Sequence, residues 1–360
     1  MGKPLTILFD AERMKYPNTG LYYFCKELGN ALLTSASSHQ ATMQFLLPAS
    51  CSSEFPAGTI IKPIRFWYKF FMPDDASIDI WHTTSQDSAY FPFHRKKPIV
   101  LTIHDLNYYH DERKPIAKRE AWLQQLQRKV DASAALVFIS AYTAKDVQTH
   151  IDIKDKPYRI IYNGCTIKDR QNDVSSESTT VPKKLVDTPF IFSIGTIARK
   201  KNFHVLPALL VNNNYQLVIA GITQQPDYLK KIQDCAHDLG VADRLIFTGP
   251  ISDQDKQWYY AHCTAFVFPS LSEGFGLPLV EAMHFGKPVF ISAATSLPEI
   301  GGDAAYIFRD FSAEQMQADF AAGMADFITH QRSEAVKKRA AQFSWESAAA
   351  AYWEVYNQLR

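Results

Sequence analysis

The stretch AFVFPSLSEGFGLPLVEAMHFGKPVFIS, residues 265–292, decides the fold. An unbroken apolar run (265–270) leads into a glycine-rich loop, then a helix that Pro278 is suited to open, then a second apolar run (288–292). Continuous apolar runs joined through a helix, with no polar alternation, are the pattern of strands buried on both faces of a parallel sheet. The same pattern extends in both directions. FIFSIG (190–195), YQLVIAG (215–221) and RLIFTG (244–249) read as further strands of this set. Upstream, LTILFD (5–10), TMQFLLP (42–48), IDIWH (78–82), PIVLTIHD (98–105), ALVFIS (135–140) and YRIIYNG (158–164) form an earlier set. Between them KDRQNDVSSESTTVPKK (168–184) is polar and free of aromatic residues, as linkers are.

The expected architecture is α/β, with two doubly wound, Rossmann-like domains in tandem. The N-terminal domain spans 1–167, a linker 168–187 and the C-terminal domain 188–343. A last helix at 344–360, capped by Ser344, carries Trp345, Ala348, Ala349, Tyr352, Tyr356 and Leu359 along one face. It is expected to pack on a domain surface, with the N-terminal domain a candidate. A chain of 360 residues with 46% hydrophobic content supports two cores. Its 38 Lys+Arg against 37 Asp+Glu give no global reason to expect nucleic acid. Five scattered cysteines without a C-x-x-C argue against a disulfide framework or a zinc site. MGKPLTILFD lacks a secretory signal's apolar region, and no apolar run reaches the ~18 residues of a membrane span, so the cytoplasm is the expected compartment. RFWYKFFM (65–72) mixes cations with aromatics. It is read as a core-facing helix, with peripheral contact with a membrane or a lipid-linked acceptor as the alternative.

Ligands of doubly wound sheets bind beyond the carboxyl ends of the strands, so the active site is expected between the domains. Glycines at 274 and 276 let backbone amides of Phe275, Gly276 and Leu277 approach a ligand, and a helix N-terminus favours phosphate. Glu281, one turn in, can accept hydrogen bonds from a ribose diol, and Glu273 can reach a second polyol. GTIARKKNF (195–203) adds Arg199, Lys200 and Lys201 at a strand's carboxyl end, local positive charge in a neutral protein. The spacing suits a sugar nucleotide. Asp253-Gln254-Asp255 resembles a metal motif but reads better as a helix start capped by Ser252. In the first set of strands His104-Asp105 ends PIVLTIHD, while Asp10 and the turn reaching Gly20 lie at the mouth of the first strand. His82 is read as structural. No G-x-G-x-x-G follows that strand, which disfavours a nicotinamide enzyme.

These residues are similar to the retaining GT-B glycosyltransferases of family 4, in particular bacterial mannosyltransferase-like members that build cell-surface polysaccharide such as lipopolysaccharide. The likeness lies in PSLSEGFGLPLVEAMHFGKPV, SLPEIGGDAAYIF, VLTIHDL, FISAYTAKDV, IYNGCTIKD, GTIARKKNF and FSWESAAAAYWEVY, and is weakest over 35–73 and the linker. The resemblance implies a metal-independent hexosyltransferase with no cofactor, GDP-mannose as favoured donor and a glycan or lipid-linked acceptor. It implies that Glu281 binds the ribose, Glu273 and His104 the transferred sugar, and Lys201 with the amides of 275–277 the diphosphate. It also implies that Gly195 permits close approach and that Ile251 lies near the base. Lys200 stands where the family has an arginine, with Arg199 one place early, which leaves open which of them does that work. The alternatives are a UDP-sugar donor and a non-catalytic sugar-nucleotide binder.

Overall fold

The computed structural model describes residues 3–69, 75–94, 96–167, 185 and 188–360. The expected linker, apart from Leu185, lies outside the described residues, as does the end of the 65–72 stretch. The chain divides into two units, Met1–Gly164 with Phe343–Arg360, and Cys165–Gln342.

In the first unit the strands are β1 (Leu5–Asp10), β2 (Ala41–Leu47), β3 (Ile60–Pro63), β4 (Ile80–Thr83), β5 (Ile99–Ile103), β6 (Ala135–Phe138) and β7 (Tyr158–Ile160). They form one sheet in the order β3-β2-β1-β4-β5-β6-β7, and every pair is parallel. Among the described residues up to Gly164, four α-helices accompany them: α1 (Gly20–Ser35), α2 (Asn107–His110), α3 (Ile116–Ala132) and α4 (Ala141–His150). Leu8, Trp81, Leu101, Leu136 and Phe138, drawn from four central strands, are buried in one core with Leu126 and Val130 of α3.

The second unit has β8 (Phe190–Ile194), β9 (Gln216–Ala220), β10 (Leu245–Gly249), β11 (Ala265–Phe268), β12 (Val289–Ser292) and β13 (Ala305–Phe308). Their order is β10-β9-β8-β11-β12-β13, again with parallel pairing throughout. Its helices are α5 (Pro226–Asp238), α6 (Asp253–His262), α7 (Leu277–His284), α8 (Leu297–Gly301), α9 (Ala313–Thr329) and α10 (Ser333–Ala340). In each sheet the strand order reverses once, at β1/β4 and at β8/β11. The chain leaves those neighbouring strands toward opposite faces, which opens a crevice at their carboxyl ends.

Two edge strands escaped the sequence reading. β3 is short, half exposed and ends in proline, and β13 is mostly half exposed. Neither carries the buried apolar run that marks the central strands. The expected core-facing helix at 65–72 is also corrected. Phe66–Lys69 is a single 3-10 turn that leaves Phe66 74% and Trp67 43% exposed, with the Arg65 guanidinium 5.3 Å from the Trp67 ring. Only Tyr68 of that turn packs against the first unit's core.

After α10 the chain returns to the first unit as α11 (Trp345–Gln358), with Ser344 Oγ accepting the Ser347 amide hydrogen as cap. Its apolar face rests on α1, where Trp345 meets Phe24 edge-on and Trp353 Nε1 donates to Ser35 Oγ at 2.8 Å. Burying each such aromatic contributes ~2 kcal/mol. Beneath that face runs a chain of buried polar atoms. Tyr356 OH is 2.7 Å from His82 Nδ1, His82 Nε2 is 2.8 Å from Thr102 Oγ1, and Thr102 Oγ1 is 2.9 Å from Tyr352 OH. Burial, with neighbouring His104, depresses the His82 pKa to about 3, so the ring is neutral and the assignment of His82 as structural stands.

Tyr356→Phe strands His82 Nδ1 and is expected to lower the melting stability of the first unit by ~1–3 kcal/mol, read by denaturant unfolding against wild type. The pH dependence has a fixed sign. Between 6.5 and about 3 the unfolded His82 holds a proton that the folded one refuses, so stability is full above pH 6.5 and falls as pH drops through that window. His82→Gln, titrated in parallel, is expected to flatten the dependence.

Candidate functional site

The site is built where the second sheet reverses. β8 is followed by Gly195, whose φ of +152° suits glycine, and a Cβ there would stand 3.1 Å from Lys201 Cε. The glycine therefore makes room for the Lys201 side chain to pass over the strand end. Arg199–Lys201 is one 3-10 turn closed by the left-handed Asn202. The Lys200 carbonyl receives the Leu271 amide at 2.8 Å and the Ser270 hydroxyl at 3.2 Å. The loop that leaves β11 is thereby fastened to the turn that leaves β8.

That fastening delivers Glu273 to Lys201. Glu273 Oε1 pairs with Lys201 Nζ and accepts the Ser270 hydroxyl at 2.6 Å, while Oε2 has no partner among the described residues. Lys201 Nζ also lies 4.7 Å from the Phe268 ring centroid. Burial pushes the Glu273 pKa up, but Lys201 and Lys200 outweigh it and hold the carboxyl below its ordinary range. The group is ionised at neutral pH. Behind the loop, Thr295 Oγ1 accepts the Glu273 amide hydrogen at 3.0 Å, and Ser296 Oγ donates to the carbonyls of Glu273 and Phe275 at 2.9 and 3.1 Å.

Three residues on, the left-handed Gly276 (φ 101°) caps α7 without a side-chain hydrogen bond, and Pro278 sits in its first turn. Leu297 Cδ2 is 2.7 Å from where a Cβ of Gly276 would stand, so a larger residue is excluded. Among the described residues no group takes the amides of Gly276 and Leu277. These are the polarised N–H groups that attract anions at a helix start. Phe275 is buried and Leu277 half-buried beside them. Ile251, half-buried, occupies the loop between β10 and α6.

The remaining cations divide. Lys200 is exposed and acts on Glu273 through charge. Arg199 turns to α5, where its guanidinium meets Asp227 Oδ2 at 2.6 Å. Of the two residues whose work the sequence left open, the structure brings only Lys200 into the field of Glu273.

Glu281 is 4% exposed and engaged. Lys256 Nζ lies 3.0 Å from Oε1, Tyr260 OH donates to Oε2 at 2.9 Å, and Thr166 Oγ1 donates to Oε1. Lys256 and Tyr260 were not singled out from the sequence. Their i, i+4 spacing on α6 places them on one face, but only tertiary packing shows that this face meets α7. Thr166, assigned to the N-terminal domain by sequence, belongs with Cys165 and Ile167 to the second unit. The Ser252 cap is as expected: its Oγ accepts the Asp255 amide hydrogen at 3.0 Å and donates to Asp255 Oδ2 at 2.8 Å.

In the first unit His104 follows β5 and is buried. Its Nε2 donates to the Thr84 carbonyl at 2.7 Å, which leaves Nδ1 as the acceptor nitrogen. Burial lowers its pKa to about 4, the Thr84 hydrogen bond opposing. Gln86 brackets the turn: its Oε1 accepts the His104 amide hydrogen at 3.0 Å and its Nε2 donates to the Asp105 carbonyl at 3.0 Å. Gln86 also escaped the sequence reading, being one polar residue among several in TTSQDS. Asp10, expected on the acceptor side, is fully buried. Its carboxylate receives the Ser88 hydroxyl and the Glu12 amide hydrogen, and burial raises its pKa to about 7. Gly20 is exposed in the first turn of α1, where Thr19 Oγ1 accepts the Tyr22 amide hydrogen.

The chain is similar to known proteins in sequence and in fold. Residues 176–343 match the family model for glycosyl transferases group 1, and residues 54–168 match that for glycosyltransferase family 4. The serotype-specific mannosyltransferase WbdA of Escherichia coli is 31% identical over 252 residues, 67% of this chain. The chain covers 31% of that protein's length. The O-antigen chain mannosyltransferase B of Escherichia coli is 27% identical across 99% of this chain and 100% of its own. Among solved structures, Anabaena HepE in complex with UDP and glucose superposes with a TM-score of 0.71 at 15% identity, covering 98% of this chain and all of that one. Both halves of the chain and the fold thus agree, and the chain belongs to the GT-B glycosyltransferases, with a family 4 first half and a group 1 second half.

Proposed function

We propose that this chain transfers a hexose, mannose from GDP-mannose, to a glycan or lipid-linked acceptor in surface-polysaccharide synthesis, with retention at the sugar and without a metal ion or other cofactor. The observation that carries the reading is the ionised Glu273 held against Lys201 beyond β8 and β11, beside the amides of Gly276 and Leu277. A departing nucleoside diphosphate gains negative charge as the glycosidic bond breaks, and preorganised cations and helix amides stabilise it without reorganising. Lys201, Lys200 and the α7 amides supply that field. Glu273 Oε2 accepts a hydroxyl of the transferred sugar, and the neutral His104 accepts another through Nδ1. Glu281 has three donors on a carboxylate that can take about four, which leaves one acceptor position for a ribose hydroxyl. Ile251 borders the base.

Retention by double displacement needs a free carboxylate nucleophile. Glu273 has one oxygen committed to Lys201 and Ser270, which favours attack of the acceptor hydroxyl from the leaving-group side, its proton passing to the departing phosphate. Mannose and polysaccharide synthesis rest on the two Escherichia coli mannosyltransferases. A UDP-sugar is the second reading, supported by the UDP and glucose held by HepE. No described helix is long and apolar enough to cross a membrane. A lipid-linked acceptor would meet the protein at a membrane surface, on its cytoplasmic face in this reading.

Thermal-shift titration with GDP-mannose, UDP-glucose, ADP-glucose and NAD tests the donor. At a ligand concentration of 100 Kd the true donor stabilises the fold by ~2.7 kcal/mol. A response to UDP-glucose alone selects the second reading, and a response to NAD alone overturns both.

With the acceptor in hand, Glu273→Ala and His104→Ala are expected to reduce kcat by ~100-fold while donor affinity changes less than ~10-fold. Glu281→Ala is expected to do the reverse. Steady-state kinetics at saturating acceptor separate the two patterns, and wild-type turnover in Glu273→Ala removes that residue from catalysis.

A further inference from the structure

The first unit carries a side-chain cluster that the transfer chemistry leaves unused. His110 ends α2, while Asp146 and His150 lie one turn apart on α4. One ligand atom from each, the two histidine nitrogens and an Asp146 oxygen, all lie within 4.8 Å of one another. His110 Nε2 is 2.9 Å from both Asp146 oxygens, and His150 Nε2 is 3.7 Å from Oδ1. Among the described residues no lysine or arginine pairs with Asp146; its ion-pair partners are these two histidines.

The geometry points to a divalent transition-metal site of the zinc class, formed by His110, Asp146 and His150. Two imidazoles and one carboxylate are a donor set such ions prefer, and three protein ligands leave the fourth tetrahedral position to water. A tetrahedral ion with bonds of ~2.0–2.1 Å sets its ligand atoms about 3.3 Å apart. The separations of 2.9 and 3.7 Å straddle that value, so small side-chain rotations complete the set. The residues are partly exposed, with side chains 40%, 12% and 26% accessible in chain order, which gives the ion a way in. On binding, each ring ligates as a neutral imidazole through an Nε2 lone pair; the Nε2 proton that His110 shares with Asp146 is replaced by one on Nδ1 when the ring starts neutral, and is released to solvent when the ring starts as imidazolium.

The ion would act as a second clasp on the turn that bears His104. α4 already holds that turn at one end, where Thr143 Oγ1 donates to the His104 carbonyl at 3.0 Å. The metal would hold its continuation, α2, one helical turn further along.

The test uses the full chain without an affinity tag, stripped with chelator, and titrated calorimetrically with Zn²⁺. Co²⁺ serves as an optical probe of tetrahedral geometry. One equivalent of Zn²⁺ is expected, with affinity weakened at least ~tenfold in His150→Ala and in His110→Ala, loss of the tetrahedral Co²⁺ absorption in both, and a Zn²⁺-dependent rise in melting temperature in wild type alone. All three residues are surface-accessible, and matching metal-free melting curves show that the variants fold. Absence of stoichiometric binding, or an affinity unchanged in both variants, overturns the site and reduces the cluster to an ordinary histidine–aspartate pair.

Discussion

One ammonium–carboxylate contact organises the second unit's crevice. Lys201 and Glu273 leave different strands, β8 and β11, which are neighbours in space although more than seventy positions apart in sequence. Their meeting depends on a missing side chain at Gly195 and on the Lys200 carbonyl that ties the two loops together. The pair keeps a partly buried acid ionised, and the acid keeps a buried lysine in place. Each would be costly alone, because an enclosed charge without its partner bears the full desolvation penalty. Ser270 then bonds one carboxylate oxygen while Thr295 and Ser296 bond the surrounding backbone, so the loop carrying Glu273 is tied down with Oε2 left open.

The first unit solves a different problem. Two of its histidines are kept neutral by enclosure, His82 among Tyr356, Thr102 and Tyr352, and His104 against the Thr84 carbonyl. Neutral imidazoles accept hydrogen bonds and carry no charge that would compete for a diphosphate. The division of labour follows from the sheets: charged groups gather at the strand reversal of the second, while polar but uncharged groups gather along β4 and β5 of the first.

Much of this was legible in the sequence, for a physical reason. Central parallel strands must be apolar on both faces, so the nine central strands announced themselves as continuous runs, and the edge strands β7 and β10 happened to carry such runs too. The glycine and proline that shape the start of α7 also carry local constraints that survive without tertiary context. What stayed hidden depends on packing. β3 and β13 lie at sheet edges and have no apolar signature. Phe66 and Trp67 are aromatic yet exposed, against the usual preference. Asp10 looked like a loop-facing acid but is enclosed, and Lys256, Tyr260 and Thr166 gain meaning only because α6 and the segment after β7 converge on Glu281. Arg199 and Lys200 were indistinguishable as adjacent cations until Asp227 claimed the first.

The return of the last eighteen residues to the first unit has an effect on the order of events during synthesis. On an emerging polypeptide, the strands made first must wait, one hydrophobic flank uncovered, until the final helix is released. The lobe encoded in the middle can close beforehand. Maturation of the opening lobe is thereby coupled to synthesis of Phe343–Arg360, and a product cut short before that segment would hold Phe24 and His82 uncapped.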